Sequence, residues 1–267
     1  METKPKYIGI DIGGTKIQIQ SFDGKLNIIS EKKVPTDTMH SEKGFLKELF
    51  GLIDEFFCIS VKGIAIAVPG IVEKKTGVLV QAPHLPTRKN LKLKEIIYRR
   101  YKVKVCVIND INAFLEDEYS MPRLKKYKNI IAVMVGTGLG GAAIVDGKML
   151  SGAKGFACEF GHIVIDKSGK LKTLEENTSG HYMAKYPELR KNGLRNLGIG
   201  LAGLNLIFNP EAIVLGGSVY IKHMASKKKE LIKIIKQHSL DKSSPVLFDA
   251  DSKSSVCRGA VKMLGVK

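Results

Sequence analysis

No apolar run among the 267 residues approaches the length needed to cross a bilayer. The N-terminus also lacks a signal-peptide pattern. A cytoplasmic setting without a membrane partner is therefore expected. Cysteine is scarce. Cys58, Cys106, Cys158 and Cys257 lie far apart and form no Cys-x-x-Cys pair. Neither a disulfide framework nor a zinc knuckle is indicated, and the thiols read as reduced and mostly buried. No low-complexity linker interrupts the chain, and no recognition-helix motif, zinc finger or aromatic-basic RNA signature is present. Acidic residues are few, 26 against 43 basic, for a net charge of +17. Such a surplus favours polyanionic partners in general. Much of it is lysine scattered over expected helix faces, including Lys227-Lys228-Lys229. It can be a solvated surface or a field that draws in phosphate-rich substrates, and nucleic acid is not an expected partner. The hydrophobic share of 44% is that of a globular protein, and the length suits one large or two modest domains.

One turn occurs twice. Tyr7 to Ile12 leads through Gly13-Gly14-Thr15-Lys16 into Ile17 to Phe22, then Asp23-Gly24, then Lys25 to Ile29. Much later, Ile130 to Val135 leads through Gly136-Thr137-Gly138-Leu139-Gly140-Gly141 into Ala142 to Val145, then Asp146-Gly147, then Lys148 to Leu150. Each block reads as strand, glycine turn, strand, Asp-Gly hairpin, strand. The glycine turns thus join antiparallel strands, unlike the P-loop and the dinucleotide fingerprint, which join a strand to a helix. Two such turns could grip a polyphosphate from both sides.

The order of elements repeats as well. In the first half, a helix is expected over Glu42–Phe57. A strand over Val61–Val68 ends at Pro69-Gly70, and a loop with Pro83 and Pro86 follows. Then come a helix over Leu91–Tyr101, a strand over Val103–Ile108 and a helix over Ile111–Tyr119. The second half has its meander over Asn129–Leu150, a less regular stretch over Ser151–Asn192, and a helix over Leu194–Phe208 stopped by Asn209-Pro210. A strand over Ala212–Leu215, a basic helix, a strand over Val246–Phe248 and a last helix from about Ser254 complete it. The alternation implies α/β layers, and the doubling implies two similar domains with a cleft between them. The repeat places their boundary near residue 112: domains over 1–112 and 113–253, with the C-terminal helix, about 254–267, completing the first.

Four groups of residues carry chemistry. In Asp11-x-Gly13-Gly14-Thr15-Lys16, glycines admit phosphate to the backbone N–H groups and Thr15 adds a hydroxyl. Asp11 would repel phosphate unless a cation lay between them, so it suits Mg²⁺, directly or through water. A plain glycine hairpin is the alternative. Gly216-Gly217 closes a buried strand and could seat a nucleoside flat on the backbone, or simply end the strand. Asn109-Asp110 sits where a strand meets a helix, the edge at which α/β folds bind ligands. There Asp110 can act as general base for a hydroxyl or cap the helix. Glu159-Phe160-Gly161-His162 places a carboxylate and an imidazole together, as needed for vicinal hydroxyls, a metal or a structural pair.

In this order these pieces resemble the ROK family of sugar kinases and sugar-sensing repressors. The resemblance adds Gly63 to Gly70, Asn109 to Ala113, Glu159 to Ile163, Leu174 to Gly180 and Asn209 to Gly217, and covers nearly the whole chain. It implies two ribonuclease-H-like domains of the actin-like ATPase fold with an interdomain cleft. Asp110 matches the base that takes a proton from a sugar hydroxyl, usually the 6-hydroxyl. Asn109, Glu159, His162 and Glu175 match positions holding the other hydroxyls, with Gly70 on the sugar side. Asp11, Gly13, Gly14, Thr15 and Lys16, with Gly136, Thr137, Gly138 and Gly140, match the ATP phosphate loops, and Gly216 and Gly217 the adenosine side. The implied reaction is phosphoryl transfer from ATP with Mg²⁺ to a hexose, glucose first.

Three departures stand out. Counting back from Leu174-Glu175, the family's zinc cysteines fall on Asp166, Ser168 and Thr173, so no structural zinc is expected. His84 stands where the family often has an asparagine that can approach the sugar, which opens the substrate preference. The stretch His181–Leu194 is shorter than the usual helical segment, with consequences for dimer contacts or a lid. Only six residues precede Tyr7, where repressor members carry a DNA-binding domain, so a regulator is not expected. N-acetylhexosamine and fructose remain alternative substrates and inorganic polyphosphate an alternative donor. A non-catalytic sugar or nucleotide sensor is the rival from another class, and a homodimer is possible.

Overall fold

The computed structural model describes residues 4–14, 16–36, 41–82, 85–87, 89–166, 169–240, 242, 244–251 and 255–266. The chain divides into two compact units. One is Met1–Ser120, Ser151–Phe156 and Lys253–Lys267, and the other is Met121–Leu150 and Ala157–Ser252. No helix of the described residues is long and apolar enough to cross a membrane.

The first unit opens with an antiparallel meander of β1 (Tyr7–Ile12), β2 (Lys16–Phe22) and β3 (Ile28–Pro35). Its second turn is larger than a two-residue Asp-Gly hairpin. Asp23 Oδ1 accepts from the N–H groups of Lys25 and Asn27, so β3 starts at Ile28 instead of Lys25 and runs on to Pro35. Helix α1 (Glu42–Phe56) is capped by Ser41 Oγ, which accepts from Gly44 N, and it buries Phe45, Leu49, Leu52 and Ile53. That spacing places one apolar stripe against the sheet. Strand β4 (Gly63–Val68) is buried along its whole length. A loop was expected next, but β5 (Ile71–Glu73) and β6 (Val78–Gln81) form a small hairpin. Glu73 closes its turn by accepting from Lys75 N and Thr76 N. Helix α2 (Leu93–Tyr101), β7 (Lys104–Asn109) and α3 (Asp110–Tyr119) follow.

The sheet order is β3-β2-β1-β4-β7, with β1, β4 and β7 parallel. Asp11 pairs with Ala67, Ala67 with Ile108, and Val68 with Asn109. This register brings the end of β1, the Pro69-Gly70 turn after β4 and the start of α3 to one edge of the sheet. Neighbouring strands lie about 4.8 Å apart.

In the second unit, a short α4 (Pro122–Lys125) precedes the meander β8 (Ile130–Val135), β9 (Leu139–Val145) and β10 (Lys148–Met149). The stretch read as irregular holds a 3₁₀ turn over Phe160–His162, α5 (Leu174–Thr178) and α6 (Gly180–Lys185). Helix α7 (Leu189–Phe208) starts earlier than the expected Leu194. Strand β11 (Ala212–Gly216) leads into an unforeseen α8 (Ser218–His223), then α9 (Lys228–His238) and β12 (Val246–Asp249). The sheet order is β10-β9-β8-β11-β12, with β8, β11 and β12 parallel. Both units therefore carry the same five-stranded, ribonuclease-H-like topology. Each has its own core, one around Ile8, Ile10, Phe45, Leu49 and Ile66, the other around Ile131, Val133, Leu197, Ile213 and Leu215. Burying each such side chain contributes about 1.5–3 kcal/mol.

The last helix, α10 (Val256–Lys262), packs in the first unit against α3, β1 and β4. Two glycines admit it. A side chain at Gly9 would overlap the Cys257 carbonyl, and one at Gly259 would overlap the Ala113 carbonyl. Helix α3 lies wholly in this unit, so the division falls beyond residue 112, the boundary taken from the repeat.

Candidate active site

At the sheet edge of the first unit, Asn109 and Asp110 divide two tasks. Asn109 is the cap of α3: its Oδ1 accepts from Ile111 N at 2.9 Å and Asn112 N at 3.1 Å. Its Nδ2 donates to the Gly70 carbonyl at 2.9 Å, tying the turn after β4 to the start of α3. Gly70 has φ of 112°, and a side chain there would overlap the Gln81 carbonyl, so glycine is required. Asp110 is the first residue of the helix, half-buried, with Oδ1 accepting from Ile111 N at 2.9 Å. The cap position belongs to Asn109, and Asp110, expected as cap or base, adds its own bond to Ile111 N from the first helical position. Asn109, expected to reach a sugar, has both ends of its amide engaged by protein.

Asp11, at the same edge, is half-buried. Burial lifts its carboxyl from 3.8 to about 6, opposed by the positive charge of Lys16. Lys16 itself is exposed at the start of β2. In the turn between them, Gly13 N donates to the Lys16 carbonyl at 2.8 Å, and the Gly14 carbonyl accepts from Thr36 Oγ1 at 2.8 Å. Gly13 N–H is therefore spent on the hairpin. Thr15 and His84 lie outside the described residues. A divalent cation fits Asp11 on this chemistry, because a counter-charge there would offset the burial that disfavours the ionised carboxylate. Among the described residues no group of three or more His, Cys, Asp or Glu could hold a metal ion. A cation at Asp11 would then complete its shell with water and phosphate oxygens, as Mg²⁺ does.

In the second unit, the turn Gly136-Thr137-Gly138 is held by its own Gly136 N to Gly138 O bond of 2.9 Å. The start of α6 buttresses it: Gly180 N donates to Gly136 O at 2.8 Å and His181 N to Thr137 O at 3.0 Å. Thr137 N and Gly138 N donate to no protein group among the described residues, so the turn offers two backbone donors to an anion. Gly140, expected within this turn, instead lies in β9 opposite Met134. The β8–β11 register sets the end of β11 beside the turn, with Gly216 opposite Met134. Gly217 has φ of 92° and a side chain there would overlap the Val135 carbonyl, while a Cβ on Gly136 would lie 3.8 Å from Ser218 Oγ. Gly136, Gly180 and Gly217 thus form one floor of bare backbone.

Glu175 joins this floor to Glu159 and His162. It lies in α5, and its Oε2 accepts from Leu139 N at 2.6 Å; a Cβ on Gly161 would lie 3.3 Å from Glu175 Cβ. Glu159 and His162 are exposed, on either side of Phe160-Gly161. Partial burial raises the Glu159 carboxyl, His162 lowers it, and Glu175 raises it again. Phe160 is buried against Gly141, where any side chain would overlap its ring. The residues aligned with zinc cysteines have other work. Asp166 Oδ1 accepts from Gly169 N, and Thr173 caps α5 in a reciprocal box with Glu176; Ser168 lies outside the described residues. The glycine turn and Glu175 were legible as motifs. The buttress from Gly180 and His181 was not, because it runs through main-chain atoms. The Thr173-x-x-Glu176 spacing could have marked the start of α5.

The residues singled out by sequence therefore form two groups: Asp11, Gly70, Asn109 and Asp110 in the first unit, and the second glycine turn, Gly217, Glu159, His162 and Glu175 in the second. The model of the ROK family matches residues 7–188. An N-acetyl-D-glucosamine kinase of Pectobacterium atrosepticum is 35% identical over 159 residues, which cover 59% of this chain and 52% of that protein. A glucokinase of Streptomyces coelicolor is 33% identical over 192 residues, covering 69% and 60%. The chain thus spans a little over half the length of these curated relatives. Among solved structures, a ROK hexokinase from Thermus thermophilus superposes with a TM-score of 0.80 at 24% identity, over 97% of this chain and 99% of that one. The two-unit α/β architecture is common to both. With its ribonuclease-H-like units and most of its length matched, this chain belongs to the ROK family.

Proposed function

We propose that this chain transfers the γ-phosphoryl group of ATP to a hydroxyl of a hexose, glucose first and at its 6-hydroxyl. The observation that carries the reading is the division of labour at the start of α3. Asn109 is the cap residue, and Asp110, at the first helical position, sets a carboxylate at the sheet edge with one oxygen on Ile111 N. In the proposed step Asp110 takes the hydroxyl proton as the sugar oxygen bonds to the γ-phosphorus. The bond from phosphorus to the bridging oxygen breaks, and ADP leaves with that electron pair. Ile111 N–H holds one carboxylate oxygen of Asp110 and so orients the base. Glu159 and His162, both exposed, suit an acceptor and a donor for the other sugar hydroxyls. Glu175, bound to Leu139 N, acts as a positioning residue between that pair and the phosphate turn. When bound, Mg²⁺ would neutralise charge on the donor phosphates, with Asp11 as its protein carboxylate. The net charge of +17 supports a field that concentrates an anionic nucleotide.

N-acetylhexosamine is the second reading for the acceptor, because relatives at similar identity are named both N-acetyl-D-glucosamine kinase and glucokinase. A coupled assay over glucose, N-acetylglucosamine, N-acetylmannosamine and fructose, with ATP or polyphosphate as donor, decides acceptor and donor together. Asp110→Asn is expected to lose at least a thousandfold in kcat while still binding sugar in calorimetry. Phosphorylation at the wild-type rate by that variant would remove Asp110 as the base.

A further inference from the structure

A pocket of about 260 Å³ lies in the second unit between α6, the start of α7, the end of α8 and the start of α9. Its floor is apolar and buried: Met183, Leu194 and Met224. Gly193 lies against that floor. A Cβ on Gly193 would lie 2.5 Å from Met183 Cε and 3.2 Å from Met224 Cε, so the two methionine tips close against bare helix.

The rim is cationic. Arg190, Lys191, Arg195, Lys227 and His223 surround the pocket, with Glu230 as the one carboxylate among the described lining residues. These side chains are exposed, and among the described residues none of the four fixed cations makes an ion pair or a side-chain hydrogen bond. The contrast with Lys228, one residue away, is instructive, because Lys228 is bound to Asp249 Oδ2 at 2.5 Å. Like charges held around a concave apolar floor repel one another, and an anion there would relieve them. Arginine presents a planar fork that matches phosphate oxygens in pairs. No described residue of the glycine turns or of the Glu159–His162 pair lines this pocket.

We infer that this pocket is a second anion site, separate from the glycine floor, for a small phosphorylated ligand. Arg190 and Arg195 grip a phosphoryl group there, and the ligand's carbon body rests on Met183, Leu194 and Met224. The inference extends the kinase reading but is tested by binding, so it stands or falls independently of catalysis.

The test is isothermal titration of the full chain with glucose 6-phosphate, tripolyphosphate or inorganic sulfate, at low and moderate salt. Each titration is repeated with a saturating non-hydrolysable ATP analogue present. The expected result is binding by a phosphorylated probe that persists with the analogue present. The Arg190→Gln/Arg195→Gln variant should weaken it at least tenfold, while the Michaelis constant for ATP stays unchanged. A Lys191→Gln/Lys227→Gln variant, on exposed side chains of the same rim, should weaken it as well. Tighter binding of glucose 6-phosphate identifies a phosphomonoester as the ligand, and tighter binding of tripolyphosphate a phosphate chain. Displacement by the ATP analogue, unchanged affinity in both variants, or no binding below millimolar concentration would each overturn the inference.

Discussion

Asp117 ties the proposed base helix to the end of the chain, and removing it is a demanding test of the first unit. It lies seven residues after Asp110, two turns along α3 and so on the same face. Its carboxylate is fully buried and accepts from Ser255 N at 2.8 Å, Arg258 Nε at 2.8 Å, Arg258 Nη2 at 2.6 Å and Lys262 Nζ at 2.6 Å. The cations are partly buried too, Arg258 at 22% and Lys262 at 20% side-chain exposure. Breaking a buried pair by removing one partner costs about 3–5 kcal/mol, because the other charge is left without compensation. Here the cations retain some access to water, so Asp117→Ala should cost about 3 kcal/mol, at the lower end of that range.

Urea denaturation of Asp117→Ala, Arg258→Met and the double variant measures the effect and isolates the pair. The coupling should exceed about 1 kcal/mol, since neighbours in one network do not add. Replacing all three charges by apolar residues should recover most of the loss, because no charge is then stranded. Since α10 also lies against β1 through Gly9 and Cys257, the same variant should lower kcat more than it raises the Michaelis constant for sugar. A loss below 1 kcal/mol, or strict additivity in the cycle, would refute the account of α10 as the anchor of α3.

Asp11 yields a pH signature in metal-free protein. Its folded pKa is raised, so it stabilises the fold fully only below about pH 3.8, and that contribution is lost as pH rises through about 6. At neutral pH the penalty is on the order of 3 kcal/mol, at about 1.4 kcal/mol per pH unit, so Asp11→Asn should be more stable than wild type at pH 7.5 but not at pH 4. Urea midpoints at the two pH values check this. Gly217→Ala places a side chain at φ of 92° against the Val135 carbonyl, and should lose about 2 kcal/mol or more in thermal melts. Glu175→Ala strands Leu139 N–H and should lose about 1–3 kcal/mol, with a matching fall in turnover measured by coupled assay. Metal analysis of the purified chain should find no stoichiometric zinc, and a chelator should leave its melting temperature unchanged, since Asp166 and Thr173 are engaged in a turn and a cap.

What could be read from the residues, and what could not, divides along physical lines. Apolar period and turn chemistry report local structure, so both meanders, α1 and the buried strands β4 and β11 were legible. The doubled order also implied one topology used twice. Interactions through main-chain atoms leave no residue-type signal. The buttress of Gly180 and His181 on the second turn is of that kind, and only the bareness of Gly180 hints at it. Long-range ionic anchors are equally silent: Asp117 meets Arg258 and Lys262 across more than half the chain, and each reads alone as a surface charge. At the candidate site the sequence offered Asp110 as base or cap and Asn109 as a sugar contact, although both residue types cap helices well. Propensity could not separate them. The geometry does, since a cap must sit just before the first helical residue with its side chain accepting from the N–H groups two and three residues on. Asn109 meets that condition and Asp110 does not. Asp110 sits at the first helical position with one oxygen on Ile111 N, and it is the carboxylate at this edge to test for chemistry.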